Sequence, residues 1–161
     1  MGDTRVMERF NLHEPSFEYD DSDPDGYRAG MDRFGPTIGA SQLGGSIYEL
    51  PAGQSICPYH YEYPEEEWLV VLRGQVILRH PGGEDELGEG DTVCFPPGPD
   101  GAHKVTNRAE ATAQVLMLST KPAVSVAVYP DSGKLLASTG NPEDRLMARR
   151  ESAVDYYDGE V

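Results

Sequence analysis

GQSICPYHYEYPEEEWLVVLRG, residues Gly53 to Gly74, is the stretch whose reading decides the fold. It sets His60, Glu62 and Glu67 just ahead of an apolar run, Trp68 to Leu72, so that groups able to hold a metal fall on and beside a strand. Residues two apart share a face of a strand, so His60 and Glu62 converge if their segment is extended. The loop Tyr63-Pro64-Glu65-Glu66 then returns the chain and brings Glu67 toward them. A second stretch, Gly90 to Asn107, GDTVCFPPGPDGAHKVTN, offers a fourth group, His103, after a cluster of Pro and Gly. Imidazole and carboxylate at such spacing suit a divalent first-row metal, with iron, manganese, nickel or zinc favoured over soft copper(I).

Taken together, the two stretches resemble the motifs of the cupin superfamily, in particular its small single-domain members of the cupin 2 conserved-barrel type. Gly53, His60, Glu67 and Gly74 match the first motif, with six residues between the last two. Gly90, Pro96, Gly98, His103 and Asn107 match the second in order. The resemblance covers roughly residues 45 to 120. Three departures stand out: Glu62 occupies the place of the first motif's second histidine, the spacer from Gly53 to His60 is one residue longer than usual, and four residues separate Gly98 from His103. The resemblance implies an all-β, antiparallel jelly-roll barrel, with a metal held by His60, Glu62, Glu67 and His103. It also implies that paired subunits cover the edges, so a homodimer is expected.

Composition bounds the remaining classes. A chain of 161 residues is one ordinary domain, and 18 Gly with 13 Pro and no long helical periodicity point to short strands joined by turns. A formal charge of −15, from 28 acidic against 13 basic residues, disfavours nucleic acid and anionic membrane as partners. No apolar run approaches the ~18 residues of a spanning helix, and no charged-then-apolar leader is visible, so a cytoplasmic location is the expectation. Cys57 and Cys94 read as reduced, small apolar side chains, with a disulfide or a thiolate ligand as the alternatives, since both approach the motifs in sequence.

Read in order, residues 1–45 form an acidic, irregular arm and a first edge strand, 46–138 the barrel, and 139–161 a C-terminal helix or tail. Phe10, Phe17, Tyr19 and Tyr27 are the arm's means of docking on the barrel or on a second subunit. Ser46 to Leu50 alternates like a half-buried strand. From Glu67 to Arg79 two strands are separated by Arg73-Gly74, a hairpin signal. Parity then places Glu67, Leu69 and Val71 inside and Trp68 outside, against the arm or a partner, unless Trp68 is ordinary core. Pro81 to Glu86 reads as a solvated turn, Ala113 to Ser119 and Val124 to Tyr129 as strands. Pro142 to Arg150 reads as a short helix capped by Asn141, with Pro142 at its first position. Tyr48, Tyr59, Tyr61 and Phe95 are candidates to shape a pocket, whereas His13 and His80 read as surface residues.

Two histidines with one or two carboxylates leave coordination positions open. The expected function is therefore a metal-dependent dioxygenase or isomerase of a small oxygen-bearing metabolite bound in the barrel. The alternative is a cupin that binds metal or a small molecule without turnover, because the fold alone does not decide function.

Overall fold

The computed structural model describes residues 7–160, so residues 1–6 of the arm and 161 of the tail lie outside it. Its strands are β1 (Gly30–Asp32), β2 (Leu43–Leu50), β3 (Tyr61–Tyr63), β4 (Glu67–Arg73), β5 (Gln75–His80), β6 (Gly83–Gly88), β7 (Thr92–Phe95), β8 (Lys104–Thr106), β9 (Ala113–Thr120), β10 (Ser125–Tyr129), β11 (Lys134–Ser138) and β12 (Leu146–Arg149). They form three antiparallel sheets, ordered β1-β2-β9-β4-β7, β12-β11-β10-β3 and β6-β5-β8. The architecture is the antiparallel jelly roll expected from the sequence. Among the described residues the only helical pieces are single 3-10 turns.

Strand β4 sets the division between inside and outside. Leu69 and Val71 are 0% and 1% exposed while Trp68 is 46% exposed, so the face that carries Glu67 points inward. Leu69 and Val71 join Leu50, Val76, Leu78, Phe95, Val105 and Val115 in the main core. The opposite face of β4 presents Val70 and Leu72, and these are covered by Phe10, Leu12 and Phe17 of the arm around Phe34, Ile47 and Leu116. The arm thus docks on its own barrel, with Phe10 stacked on Phe34 at 4.8 Å. Trp68 lies beyond that cover, beside an apolar groove of about 280 Å³ that it lines with Leu43 and Leu118. Its indole N–H donates to Glu66 at 3.0 Å.

Three local expectations are corrected. Gly74 has the positive φ of 77° that its position suggested, but it turns a corner between sheets and closes no hairpin. β4 is already hydrogen-bonded on both sides, to β7 and to β9, so β5 has no edge of it to pair with. β5 instead pairs with β6 and β8. The acidic run from Glu84 is therefore strand, not turn: β6 pairs with β5 from His80↔Gly83 to Gln75↔Gly88, and the true two-residue loop is Pro81-Gly82. Its charges sit on an exposed edge strand, where they disfavour unwanted strand pairing. Finally, residues 142–150 do not form a helix. Asn141 does cap Glu143, whose N–H it accepts at 3.2 Å, and Pro142 opens the turn, but helical structure ends at Asp144. Leu146 to Arg149 pair with β11 instead. A helix this short is marginal by itself, and the free edge of β11 offers its backbone a full ladder.

One buried polar side chain ties the ends of the second motif together. Asn107 is fully buried; its Nδ2 donates to the carbonyls of Leu50 and Ala111, both at 2.8 Å, and its Oδ1 accepts from the Ala109 N–H at 2.9 Å. Asn107→Ala leaves the buried Leu50 carbonyl without its partner and removes two part-buried bonds, to Ala111 and Ala109, and a loss of about 2 kcal/mol in unfolding free energy is expected in urea titration. A loss no larger than that of an exposed Asn141→Ala control would show that the network is not structural.

Candidate metal centre

His60 and His103 are brought together by the backbone. The two residues form an antiparallel bridge, with the His60 N–H donating to the His103 carbonyl at 3.1 Å and the His103 N–H donating to the His60 carbonyl at 2.8 Å. Residues so paired put their side chains on one face, and the imidazole centroids lie 4.7 Å apart. The Pro/Gly loop of the second motif supplies the approach. Gly98, at φ 90°, donates its N–H to the Glu62 carbonyl at 2.8 Å. Gly101 packs so tightly that a Cβ there would fall 1.8 Å from the Pro96 carbonyl oxygen, so no other residue fits this turn two positions before His103.

Each imidazole is oriented by a backbone carbonyl. His60 Nδ1 lies 3.0 Å from the Pro58 oxygen and His103 Nδ1 lies 2.9 Å from the Gly101 oxygen. A carbonyl only accepts, so Nδ1 carries the proton in both rings and Nε2 presents its lone pair, the arrangement typical of metal-binding histidine. Phe95 stacks on His103 at 3.7 Å and Tyr129 on His60 at 5.7 Å, which fixes the ring planes. His60, Glu67 and His103 each bring one ligand atom to within 4.8 Å of the others. Glu62 stands at the edge of this set, its Oε1 3.9 Å from His60 Nε2, and Glu67 Oε2 is 3.4 Å from His103 Nε2.

These contacts are not ion pairs. Burial and then the neighbouring His60 pull His103 down to about 4, and burial lowers His60 as well, so both rings are neutral near pH 7. Burial and the Glu65 carboxylate push Glu62 up to about 7. Burial, Glu62 and Glu65 together push Glu67 up to about 8. The two Nε2 lone pairs and the Glu67 carboxyl therefore converge, with Glu62 beside His60, and a divalent metal bound there would meet imidazoles that are already neutral. The clustered donors, two imidazole nitrogens and the Glu67 carboxylate, with Glu62 beside them, suit a borderline divalent metal.

The cluster lies in a cavity of about 480 Å³, within the range of small-molecule sites. Of the aromatic candidates, Tyr48 lines it and Phe95 backs His103, whereas Tyr59 lies under the Arg79 guanidinium at 3.9 Å and Tyr61 packs edge-on against Tyr63. Cys57 also lines the cavity, with Sγ 3.5 Å from His60 Nδ1, the ring nitrogen turned away from the clustered Nε2 atoms, and burial pushes its thiol up. Cys94 shares the outward register of Trp68 and does not approach the site; both cysteines are free. His80 contacts Asp85 at the surface, as expected. Tyr129, Arg33 and Arg145 also line the cavity. The sequence reading did not find them: Tyr129 ends an ordinary alternating strand, and the two arginines carry no motif.

With this geometry in place, comparison with known proteins is informative. Residues 46–119 match the family model described as Cupin domain. The matched residues contain both motifs, Gly53 to Gly74 and Gly90 to Asn107, and the fold agrees with the match. No curated protein matches it. Among solved structures, a sugar phosphate isomerase of the cupin superfamily from Silicibacter pomeroyi is 22% identical with a TM-score of 0.78, covering 93% of this chain and 98% of that one. A polyketide cyclase from Streptomyces resistomycificus is 21% identical with a TM-score of 0.60, over 71% of this chain and 80% of that one. A cupin 2 conserved-barrel protein from Salinispora arenicola is 23% identical with a TM-score of 0.56, over 74% and 92%. At these identities the likeness is one of fold. Among the described residues no helix is long and apolar enough to cross a membrane.

The shifts predict how the chelator-treated protein responds to pH. Glu62 and Glu67 hold their protons in the folded state up to about 7 and about 8, against 4.5 unfolded, so stability falls as pH rises through that window. His103 resists protonation down to about 4 against 6.5 unfolded, which costs stability as pH falls from 6.5, but between 4.5 and 6.5 the retained carboxyl protons offset this. The metal-free protein is therefore expected to melt at a higher temperature at pH 6 than at pH 8.5, with Glu67→Gln flattening the alkaline loss. An unchanged alkaline slope in Glu67→Gln would show that Glu67 is not the buried proton reservoir.

Proposed function

We propose that His60, Glu62, Glu67 and His103 bind a divalent metal, iron, manganese, zinc or nickel, and that the protein is a metal-dependent isomerase of a small oxygen-bearing metabolite. The observation that carries this reading is the convergence of the two Nε2 lone pairs with Glu67, both rings locked through Nδ1. Glu62 completes the set as the fourth ligand on the side of His60. Four protein ligands leave room for a substrate oxygen on a six-coordinate ion. A bound ion supplies Lewis acidity to a substrate carbonyl or hydroxyl.

The rest of the chemistry belongs to the cavity wall. Burial pushes Tyr48 up to about 12 and raises Tyr129, so both hydroxyls keep their protons and serve as hydrogen-bond donors that orient substrate oxygens. Tyr129, stacked on His60, is the hydroxyl placed to relay a proton beside the metal ligands. The arm and the segment before β12 each add one side chain, Arg33 and Arg145, to the wall of this cavity. Proton transfer fits these groups better than oxidation does, and the similar fold of a protein named as a sugar phosphate isomerase accords with that choice.

Elemental analysis of untagged protein is expected to find about one metal per chain, and none in the His60→Ala/His103→Ala double variant. Glu62→Gln and Glu67→Gln should each weaken retention during dialysis by at least tenfold, while Glu66→Gln, on the outer face, should not. Equal losses in all three would sink the ligand assignment. With metal present, incubation with a panel of small hydroxy-carbonyl compounds in D₂O should place deuterium next to the carbonyl. Metal retention without any such exchange would leave a binding protein rather than an isomerase.

A further inference from the structure

Several arginines near this barrel are committed to carboxylates. Arg28 pairs with Asp25, Arg79 with Asp131 and Arg108 with Glu84. In a chain of 28 acidic against 13 basic residues such partners are abundant. Arg33 and Arg145 nevertheless have no carboxylate partner among the described residues, and both line the cavity that holds the histidine and glutamate cluster. They come from the two segments that flank the residues matching the family model: Arg33 directly follows β1, and Arg145 stands between the last 3-10 turn of the 139–145 loop and β12. Two separate additions to the barrel thus each deliver one guanidinium to the same space.

Their surroundings are suited to a ligand rather than to each other's neutralisation. Arg33 acts on Tyr48 and Arg145 on Tyr129, in each case opposing the rise that burial imposes on the hydroxyl. Both side chains belong to residues that remain exposed at the cavity mouth, so they meet an entering solute first. A guanidinium presents a rigid fork of N–H donors that matches the oxygens of a phosphate or carboxylate, and two such forks flanked by phenol hydroxyls would suit a single anion.

We propose that Arg33 and Arg145 hold the anionic end, a phosphate or a carboxylate, of the small metabolite whose oxygen-bearing end meets the His60, Glu67 and His103 cluster. The second half of this assignment rests on the metal-dependent reading above; the anion cradle does not. It makes the flanking segments, not the family barrel, the part of the chain that selects substrate.

The test is calorimetric titration of the purified protein with inorganic phosphate and, separately, with malonate, with metal content measured on the same samples. At least one of the two anions is expected to bind, and the stronger one identifies the class. Arg33→Gln and Arg145→Gln should each weaken it about tenfold or more, the double variant should abolish it, and Arg145→Lys should restore part. Arg150→Gln, an exposed arginine away from the cavity, should bind as the parent does, and metal content should be unchanged in every arginine variant. Binding of neither anion by the parent, or parental binding in the double variant, overturns the proposal. So does binding that survives the arginine changes but disappears in His60→Ala/His103→Ala, because the anion then sits on the metal. Arginine-dependent binding in a protein without metal upholds the cradle and removes only the metal reading.

Discussion

The antiparallel bridge between His60 and His103 is the constraint on which the rest of the site depends. Two backbone hydrogen bonds join the first motif to the second and leave both imidazoles on one face. Each ring is then locked by a carbonyl two residues before it, Pro58 for His60 and Gly101 for His103. Because the locking group is backbone, the ring tautomers follow from the fold itself and need no further side chain. The close packing of Gly101 on Pro96 and the buried Asn107 network brace the same segment from its two ends.

That preorganisation has an electrostatic cost. Neutral imidazoles and two half-buried carboxyls with raised pKa values lie together, and Glu65 adds a third carboxylate, one of whose oxygens is buried without a hydrogen-bond partner. A hydrophobic cluster of the same volume would be more stable. The interior of β4 is apolar immediately beyond Glu67, where Leu69 and Val71 enter the main core. The polar cluster is thus confined to one end of the jelly roll, and the strain of assembling it is borne by a well-packed core at the other. A dication held there would relieve the repulsion among the acids while using the imidazoles as they stand.

Much of this was legible before any coordinates. The period-2 pattern of Glu67 to Leu72 gave the correct faces, Leu69 and Val71 toward the core and Val70 and Leu72 toward the arm, with Trp68 outward beyond it. The spacing of His60, Glu67 and His103 in the two motifs named three residues that the fold brings within 4.8 Å. Where local signals misled, a tertiary partner was the cause. Gly74 looks like a hairpin residue, but β4 has both edges occupied. Glu84 to Glu86 look like solvent-facing turn, but β5 has an edge that they pair with. The segment after Asn141 has a well-formed helix start, but the open side of β11 takes Leu146 to Arg149 into a sheet.

The sequence by itself determined the fold class, through the family resemblance its two motifs carry, the inward face of the central strand, through period-2 alternation, and three of the residues that cluster, His60, Glu67 and His103. Only the tertiary structure decided which residues outside the motifs share the cavity. Tyr129 reaches it because β10 pairs with β3 beside Glu62, and Arg33 and Arg145 reach it because the arm and the C-terminal hairpin fold back over the same opening. Those placements depend on contacts between residues up to a hundred positions apart, and no local pattern in the chain encodes them.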